Sequence, residues 1–345
     1  MQKVNGFVKT EKILVIPLRF IGDTILTIPL LRNLRYLFPS AQIDVLVTSQ
    51  TSIILEVCPY ISNLIREDTK GEFTEKLKTQ GYDSCFILRK SLSMALKCKL
   101  AGLKNVIGFD KQRTPIGYKR WGLFLDYKLR YPTLRTETHQ VKTILSFLQV
   151  FEKSQKDEHL ELWSLNEDEQ SVEKLLEPLN SEKRIACINL SSFSHGKNIP
   201  AEKFSKSVKY LHQKGFELIF TGVKNDEVVC EELKKLSSVH IHNFCGLTNL
   251  RELFALYKKT EFLLTLDSGP IHIAAAAGVE KIVGVYGPTN EKQWAPFNKG
   301  IEFYPVFLDL ACRPCYAKVC AHNSCKVDLT EDMILNKVVL AVGNL

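Results

Sequence analysis

Short apolar segments alternate with segments of helical periodicity along the first half of the chain. Residues 12–18 (KILVIPL) form the continuous apolar run that a buried strand requires. From Thr24 to Phe38 apolar residues recur at helical spacing, and Pro29, early in this segment, predicts a kink. Further strands are predicted at residues 43–47, 64–65, 84–88 and 106–108. This alternation is typical of a doubly wound α/β domain with a parallel sheet.

The second half of the chain has the same plan. A polar stretch at residues 152–161 (EKSQKDEHLE) follows a predicted helix at 139–151 and indicates a boundary between domains 1–158 and 159–345. Whether the final predicted helix, 333–342, packs back on the first domain is left open. The other elements of this half are helices at 165–179, 201–214, 228–236 and 250–258, and strands at 185–190, 216–221 and 239–243.

Residues 264–289 (LTLDSGPIHIAAAAGVEKIVGVYGPT) are the most informative segment. An apolar strand at 261–266 leads into the turn Asp267-Ser268-Gly269-Pro270, a helix of small residues follows, and a second strand at 281–286 ends at Gly287. This layout places a phosphate on the backbone N–H groups of a helix N-terminus. The turn lacks the G-x-G-x-x-G fingerprint of dinucleotide-binding proteins, which favours a nucleotide diphosphate over NAD.

Composition and charge narrow the class of protein. The 345 residues predict two domains, and no apolar run approaches the roughly 18 residues of a membrane span. The apolar segment near the N-terminus is too short for a signal peptide, which predicts a cytoplasmic protein. A net charge of +8 fits either a basic soluble surface or affinity for an anionic partner such as phosphate-bearing lipid. Nucleic acid is disfavoured because no basic stripe with interleaved aromatic residues occurs.

Four of the ten cysteines are clustered as Cys312-x2-Cys315-x4-Cys320-x4-Cys325. Four thiolates at this spacing could hold one structural zinc ion. Reduced or paired cysteines without a metal, and iron–sulfur or redox use, stay open as alternatives. Because the cluster follows the last predicted nucleotide-binding turn in the sequence, we expect it to lie away from the chemistry.

Five segments together resemble a known family. They are Arg19-Phe20-Ile21-Gly22-Asp23 with Pro29; His139; Lys197-Asn198-Ile199-Pro200; residues 267–272; and Tyr286-Gly287-Pro288-Thr289 with Trp294-Ala295-Pro296. In order and spacing they resemble glycosyltransferase family 9, the ADP-heptose:lipopolysaccharide heptosyltransferases, over roughly residues 12–330. The resemblance implies two Rossmann-like domains facing across a cleft, the GT-B type of glycosyltransferase fold, and inverting transfer of a heptose from ADP-heptose to an inner-core lipopolysaccharide acceptor. The sequence contains no Asp-x-Asp motif, which disfavours a metal-bridged diphosphate and predicts chemistry without a metal cofactor.

The catalytic base that the resemblance implies is Asp23, with Gly22 allowing the backbone close to the sugar; the alternative is a carboxylate that merely caps a helix beginning at Thr24. Lys197 would stabilise the leaving diphosphate, unless it is only an exposed loop residue. Asp267 is assigned to the donor sugar or to ordering the site. His272, next to the diphosphate, could instead be a structural histidine. The further donor-binding residues are Ser191, Ser192, Gly222, Ser268, Gly269, Gly287 and Thr289.

Two features concern the nucleoside and the acceptor. Lys224 stands where the resemblance implies, for some family members, an acidic residue that holds the ribose, so that Asp226 or Glu227 would have to substitute. The acceptor, a lipid-linked or lipopolysaccharide core saccharide, would meet cationic side chains of the first domain at the cytoplasmic face of the inner membrane. These are Arg19, Arg89, Lys90, Lys111, Arg113, Lys119 and Arg120.

Two alternative functions stay open. One is another nucleotide-sugar transferase or epimerase, and the other is a non-catalytic nucleotide-sugar binding protein.

Overall fold

The computed structural model describes residues 10–67, 73–114, 117–133, 135–151, 157–192, 195–317 and 319–343, without the side chains of residues 73, 76, 112–119 and 195. The chain forms two compact units, Met1–Leu160 and Glu161–Leu345. The predicted boundary between residues 158 and 159 lies two residues before this division. Among the described residues, none of the helices has the length and apolar character needed to cross a membrane.

The first unit is an α/β unit built around one sheet. Its elements, in chain order, are β1 (Lys12–Ile16), α1 (Ile21–Ile25), α2 (Ile28–Leu37), β2 (Gln42–Val47), α3 (Ser49–Leu55), β3 (Asn63–Arg66), α4 (Phe73–Gln80), β4 (Ser84–Ile87), α5 (Leu92–Leu100), β5 (Asn105–Thr114), β6 (Gly117–Arg120), β7 (Tyr127–Tyr131) and α6 (Gln140–Leu145).

The sheet of the first unit has the strand order β3-β2-β1-β4-β5-β6, with β7 also paired to β5. Strands β1 to β5 are parallel neighbours, as predicted, and their order is that of half a Rossmann fold. The expectation of a purely parallel sheet is wrong at its edge, where β6 pairs antiparallel with β5. Strand β5 continues to Thr114, well beyond the apolar residues 106–108, because ladder hydrogen bonds to β6 and β7 extend it.

Pro29 divides the helix predicted from Thr24 to Phe38 into two. Helix α1 ends at Ile25, and Pro29 occupies the first turn of α2, where its missing N–H is not needed. The backbone restarts at Thr27, whose carbonyl accepts hydrogen bonds from the N–H groups of Leu30 and Leu31. The kink predicted at this proline is therefore a complete break.

The second unit repeats the α/β plan. Its elements are α7 (Asn166–Leu176), β8 (Ile185–Asn189), α8 (Ser205–Gln213), β9 (Glu217–Phe220), α9 (Glu227–Ser237), β10 (His242–Asn243), α10 (Leu250–Tyr257), β11 (Phe262–Leu266), α11 (Gly269–Ala277), β12 (Lys281–Val285), β13 (Glu302–Val306), α12 (Ser324–Val327) and α13 (Glu331–Gly343). The strand order is β10-β9-β8-β11-β12-β13, with every pair parallel. Strands β11 and β12 are buried along their whole length, as expected of parallel strands covered on both faces.

Helix α13 packs on its own unit. It contacts α8, β12 and β13, and Ile334, Val338 and Ala341 lie fully buried in the core of the second unit. The buried ammonium of Lys281 donates to the carbonyl of Ala341 at 3.1 Å, near the end of the helix. These contacts anchor α13 to the second unit, and its packing on the first domain stays a prediction.

We expect Ile334→Ala to lower the free energy of unfolding by about 2–5 kcal/mol, because it removes a fully buried side chain and leaves a cavity. Leu340→Ala, on the same helix at a position 55% exposed, is the matched control and should cost much less. Urea unfolding of both variants measures the difference. Equal effects of the two substitutions would contradict the packing of α13 described above.

Candidate active site

Three turns of the second unit meet at one edge of its sheet. Strands β8, β11 and β12 are parallel neighbours, so the segments that follow them begin at the same carboxyl edge. Lys197 lies in the segment after β8, Asp267 follows β11, and Thr289 follows β12. The fold therefore brings together three turns that the sequence analysis predicted, one by one, to bind the donor.

A buried ion pair joins these turns. The Lys197 ammonium donates to Oδ2 of Asp267 at 2.7 Å and to the carbonyl oxygen of Asp267 at 3.0 Å. The Thr289 hydroxyl donates to the same carboxylate oxygen. The Asp267 side chain is 4% exposed, whereas that of Lys197 is 26% exposed. Asp267 thus fixes the position of Lys197, and part of the lysine faces solvent at the edge of the sheet. Lys197 is therefore not merely an exposed loop residue.

Helix α11 begins beside this pair. Its N-cap residue, Ser268, has an extended backbone, and its hydroxyl donates to the Leu266 carbonyl at 3.4 Å instead of capping the helix. Gly269 and Pro270 are the first two residues of the helix, and the side chains of Ile271 and His272, which follow them, are both buried. In this first turn Pro270 has no N–H, and the Ile271 N–H donates to the Ser268 carbonyl at 3.2 Å, so the Gly269 N–H is the one without a side-chain cap. The diphosphate at this helix N-terminus stays a prediction.

A hydrogen bond between two of its own residues closes the turn after β9. Asp226 accepts a hydrogen bond from the Val223 N–H at 2.8 Å, and its carboxylate lies 2.7 Å from the position a Cβ would occupy on Gly222. Only glycine fits there, because any side chain would collide with the Asp226 carboxylate. Glu227 pairs with Lys224 at 2.7 Å. Both acidic residues considered for the ribose therefore have local partners in this structure.

Ser191 and Ser192 follow β8 at the same edge, and both are half-buried. The Ser191 N–H donates to the Asn189 side chain at 3.3 Å, and Asn189 in turn donates to the Thr221 carbonyl at 2.9 Å. This buried amide links the ends of β8 and β9. The position of both serines agrees with the predicted donor-binding edge, and their roles as hydroxyl donors stay predictions.

The cysteine-containing segment packs directly on the turn after β12, contrary to the expectation that it lies away from the site. The buried Arg313 guanidinium donates to the Gly287 carbonyl and to Glu291, both at 2.8 Å. The N–H groups of Cys315 and Tyr316 both donate to the Pro288 carbonyl, at 3.0 and 3.1 Å. We call residues 313–316 the strap, since they hold the loop that carries Thr289. Distance along the sequence did not predict this contact.

Lys326 is a second cation at this edge that sequence reasoning missed. Its Cγ lies 3.5 Å from the position a Cβ would occupy on Gly287, and the Gly196 carbonyl oxygen lies 3.9 Å from the same point. The stem of Lys326 therefore lies over the β12 turn, close to the backbone that precedes Lys197. In the sequence Lys326 directly follows Cys325. The segment was interpreted from its cysteines alone, so the lysine was not considered as a site residue.

The four clustered thiols are not gathered into a metal site among the described residues, where no three His, Cys, Asp or Glu side chains are placed to hold a metal ion. Cys312, Cys315 and Cys320 are exposed and Cys325 is half-buried. Burial, with a smaller contribution from the neighbouring thiols, raises the pKa of Cys325, whereas backbone hydrogen bonds from residues 323 and 322 lower the pKa of Cys320. The structural zinc therefore stays a prediction that this geometry does not support.

In the first unit, Asp23 lies directly beyond the carboxyl end of β1. It is 8% exposed and occupies the third position of α1, whose N-cap residue is Phe20. The alternative that Asp23 is the N-cap of a helix beginning at Thr24 is wrong, because the helix begins at Ile21, with Gly22 as its second residue. The Thr27 hydroxyl donates to the Asp23 carbonyl at 2.8 Å and holds this turn in place.

The predicted acceptor cations fall into different environments. Arg89 is buried, donates to both oxygens of Glu67 at 2.7 Å and to the Pro17 carbonyl at 2.6 Å, and so has a structural role. Arg19 contacts the same glutamate at 2.8 Å but is 63% exposed. The Lys90 ammonium lies 3.9 Å from the centre of the Tyr131 ring. Arg120 is exposed, and the side chains of Arg113 and Lys119 lie outside the described residues.

Comparison with known proteins adds independent information. The family model described as glycosyltransferase family 9 (heptosyltransferase) matches residues 71–326. The chain is 26% identical over 330 residues to lipooligosaccharide heptosyltransferase 2 of Campylobacter jejuni, covering 92% of this chain and 94% of that protein. Two solved structures share the fold: a glycosyltransferase of family 9 from Veillonella parvula (TM-score 0.78, 20% identity, 97% and 98% of the two chains) and the ADP-heptose lipopolysaccharide heptosyltransferase II of Escherichia coli (TM-score 0.70, 19% identity, 96% and 99%).

The Glu67 cluster predicts a pH-dependent stability. Burial raises the pKa of Glu67, but the hydrogen bonds and charges of Arg89 and Arg19 outweigh it and hold the pKa below its ordinary value of 4.5. The cluster therefore stabilises the folded state above that value, and the contribution is lost as the pH falls through the lower folded-state pKa.

We expect Glu67→Gln to lower the free energy of unfolding by roughly 1–3 kcal/mol at neutral pH, with a smaller difference from wild type below pH ~4. The matched control is Glu75→Gln, which removes an exposed pair with Lys78 and should change stability by less than about 1 kcal/mol. Chemical unfolding at a series of pH values measures both. A Glu67→Gln deficit that stays constant down to acidic pH would contradict the assignment.

Proposed function

The chain belongs to glycosyltransferase family 9, the heptosyltransferases, and we propose that it transfers a heptose from ADP-heptose to a lipopolysaccharide or lipooligosaccharide inner-core acceptor with inversion at the anomeric carbon. It is a glycosyltransferase, and its two Rossmann-like units give it the GT-B type of fold. The observation that carries the proposal is the Lys197–Asp267–Thr289 cluster beside the uncapped first turn of α11. A lysine held at a helix N-terminus is suited to a leaving diphosphate.

The leaving group of the proposed reaction is ADP, whose diphosphate gains negative charge as the glycosidic bond to the donor breaks. Lys197 donates two hydrogen bonds to Asp267, one to Oδ2 and one to the carbonyl oxygen, which leaves one of its three N–H donors for the diphosphate. The N–H groups of α11 and its dipole add further positive potential. Lys326, whose stem lies over Gly287, is placed to add a second ammonium. These groups supply the charge stabilisation that a metal ion provides in other transferases, which supports chemistry without a metal.

Asp23 is the proposed general base. It would accept the proton of the acceptor hydroxyl as that oxygen attacks the anomeric carbon, on the side opposite to the departing diphosphate, and this geometry inverts the configuration. Its position beyond the end of β1 and its low exposure support the role, because a partly desolvated carboxylate at the ligand-binding edge of a parallel sheet is suited to proton transfer. The acceptor, being anchored to lipid, would present its saccharide at the cytoplasmic face of the membrane.

The first test concerns the base. Asp23→Asn should bind ADP with unchanged affinity but transfer heptose roughly 10²–10⁴-fold more slowly, the usual contribution of a general base. Glu56→Gln, at an exposed carboxyl of the same unit, is the control and should be fully active. The measurements are calorimetric ADP binding and product formation from ADP-heptose. Wild-type turnover by Asp23→Asn would remove Asp23 from the mechanism.

The second test concerns the leaving group. Lys197→Ala should weaken ADP binding by about tenfold or more, because a charge-assisted contact is worth roughly 1.5–3 kcal/mol. Lys326→Ala should cause a smaller loss, and Lys299→Ala, at an exposed lysine of the same unit, should cause none. Titration with ADP, GDP and UDP would also establish the base preference, which Lys224 leaves open. If Lys197→Ala bound ADP as tightly as the Lys299→Ala control, the diphosphate site would lie elsewhere.

A further inference from the structure

Helix α5 exposes a row of leucines. Leu92, Leu96 and Leu100 are 41%, 36% and 63% exposed, and their spacing of four residues places them on one face of the helix. The opposite face, with Met94 and Cys98, is buried in the core of the first unit. The helix is therefore apolar on its outer face as well as on the inner one. An outer face of this kind is unusual for a helix that water alone covers.

We call Leu92, Leu96 and Leu100 the leucine surface. Exposed apolar side chains that share one face of a helix indicate a contact with another molecule or with a membrane.

The charges on and directly beside α5 are mostly positive. Residues 84–109 contain five basic residues and no acidic one. Two of the five have carboxylate partners, since Arg89 pairs with Glu67 and Lys99 with Asp126, at 2.7 and 2.6 Å. Lys97 and Lys104 are exposed, and Lys90 lies over an aromatic ring. On the adjacent helix α4, Glu75 pairs with Lys78 at 2.7 Å, so it does not cancel this positive charge.

A second exposed apolar row shows what distinguishes α5. Helix α9 of the second unit exposes Val228 (74%) and Leu236 (47%). Its sequence contains three glutamates and two lysines, a net charge of −1, whereas α5 contains two lysines and no acidic residue. Exposed apolar side chains and a net positive charge therefore occur together on α5 but not on α9, and an anionic surface would attract only α5.

We propose that the leucine surface, with Lys97 and Lys104, docks the first unit onto the surface of an anionic lipid bilayer. The leucines would enter the boundary between headgroups and acyl chains, and the lysine ammonium groups would contact anionic headgroups. Nine residues of helix cannot span a bilayer, so the contact lies in the plane of the interface. A bilayer matches both the apolar row and its positive charge, whereas an apolar protein groove would not require the lysines.

The placement also suits the chemistry proposed above. Helix α5 follows β4, which is the parallel neighbour of β1, and Asp23 follows β1. The N-terminal end of α5 and Asp23 therefore lie at the same carboxyl edge of one sheet. Docking through α5 would hold this edge near a saccharide that is anchored in the bilayer. Membrane binding itself does not depend on the proposed transfer, and it is tested without donor or acceptor.

The experiment is flotation of the full chain with vesicles of phosphatidylcholine alone and of phosphatidylcholine with phosphatidylglycerol. Wild type should float with the anionic vesicles, less so at high salt, and not with the neutral ones. Lys97→Gln/Lys104→Gln should reduce the partition coefficient by roughly fivefold per lysine. Leu96→Ser/Leu100→Ser should reduce it at least tenfold. The matched control is Val228→Ser/Leu236→Ser on α9, which should bind like wild type.

All these substitutions are at exposed positions, and unfolding curves would verify that each variant is folded. Anionic vesicle binding that the α5 variants leave unchanged would overturn the proposal, as would equal binding to neutral vesicles or no binding at all. Oligomers of wild type that Leu96→Ser/Leu100→Ser dissociates, without any vesicle binding, would assign the surface to a second copy of the chain. Turnover on a soluble, delipidated acceptor should be unchanged in the α5 variants, so loss of vesicle binding is distinguishable from failure of the proposed transfer.

Discussion

The second unit depends on the ion pair between Lys197 and Asp267. A carboxylate that is 4% exposed is strongly destabilising unless it is paired and hydrogen-bonded, and here one ammonium and one hydroxyl satisfy it. Because these donors come from the segments after β8 and β12, while the carboxylate follows β11, three chain segments are tied at one point. The same pair that makes this edge of the sheet stable also fixes the cation that the proposed chemistry needs.

The strap reinforces this edge from outside. The Arg313 guanidinium, buried against the Phe307 ring at 4.2 Å from its centre, bonds to the Gly287 carbonyl, and Tyr316 accepts a hydrogen bond from the Trp294 indole at 3.1 Å. Glu291 neutralises the buried guanidinium. The cysteine-containing segment therefore has a definite structural task, which is to hold the loop with Thr289. That task needs only the backbone and side chains of the strap and does not require the thiols to bind a metal.

Most of the fold could be predicted from local patterns. Apolar runs and helical spacing identify the strands and most helices, since each depends on residues that are near in sequence, and the turn after β11 was recognisable because Ser, Gly and Pro have specific backbone preferences. The break before Pro29 and the β5–β6 hairpin were not predicted, because each depends on hydrogen bonds that only the folded chain forms. Lys197, Asp267 and Thr289 were found individually. Their mutual contact, Arg313 and Lys326 could not be found, since long-range packing leaves no periodic signal.

The Lys197–Asp267 pair also bears on how long a nucleotide product would stay bound. An ammonium that already has a carboxylate at 2.7 Å cannot give its whole charge to a diphosphate. The carboxylate and the phosphate compete for one cation, so a bound nucleotide gains less free energy than it would from an unpaired lysine. In an enzyme, such competition shortens the residence time of the product, and turnover is then less limited by its release. The residue that organises the site would in this way also keep it from being blocked by its own leaving group.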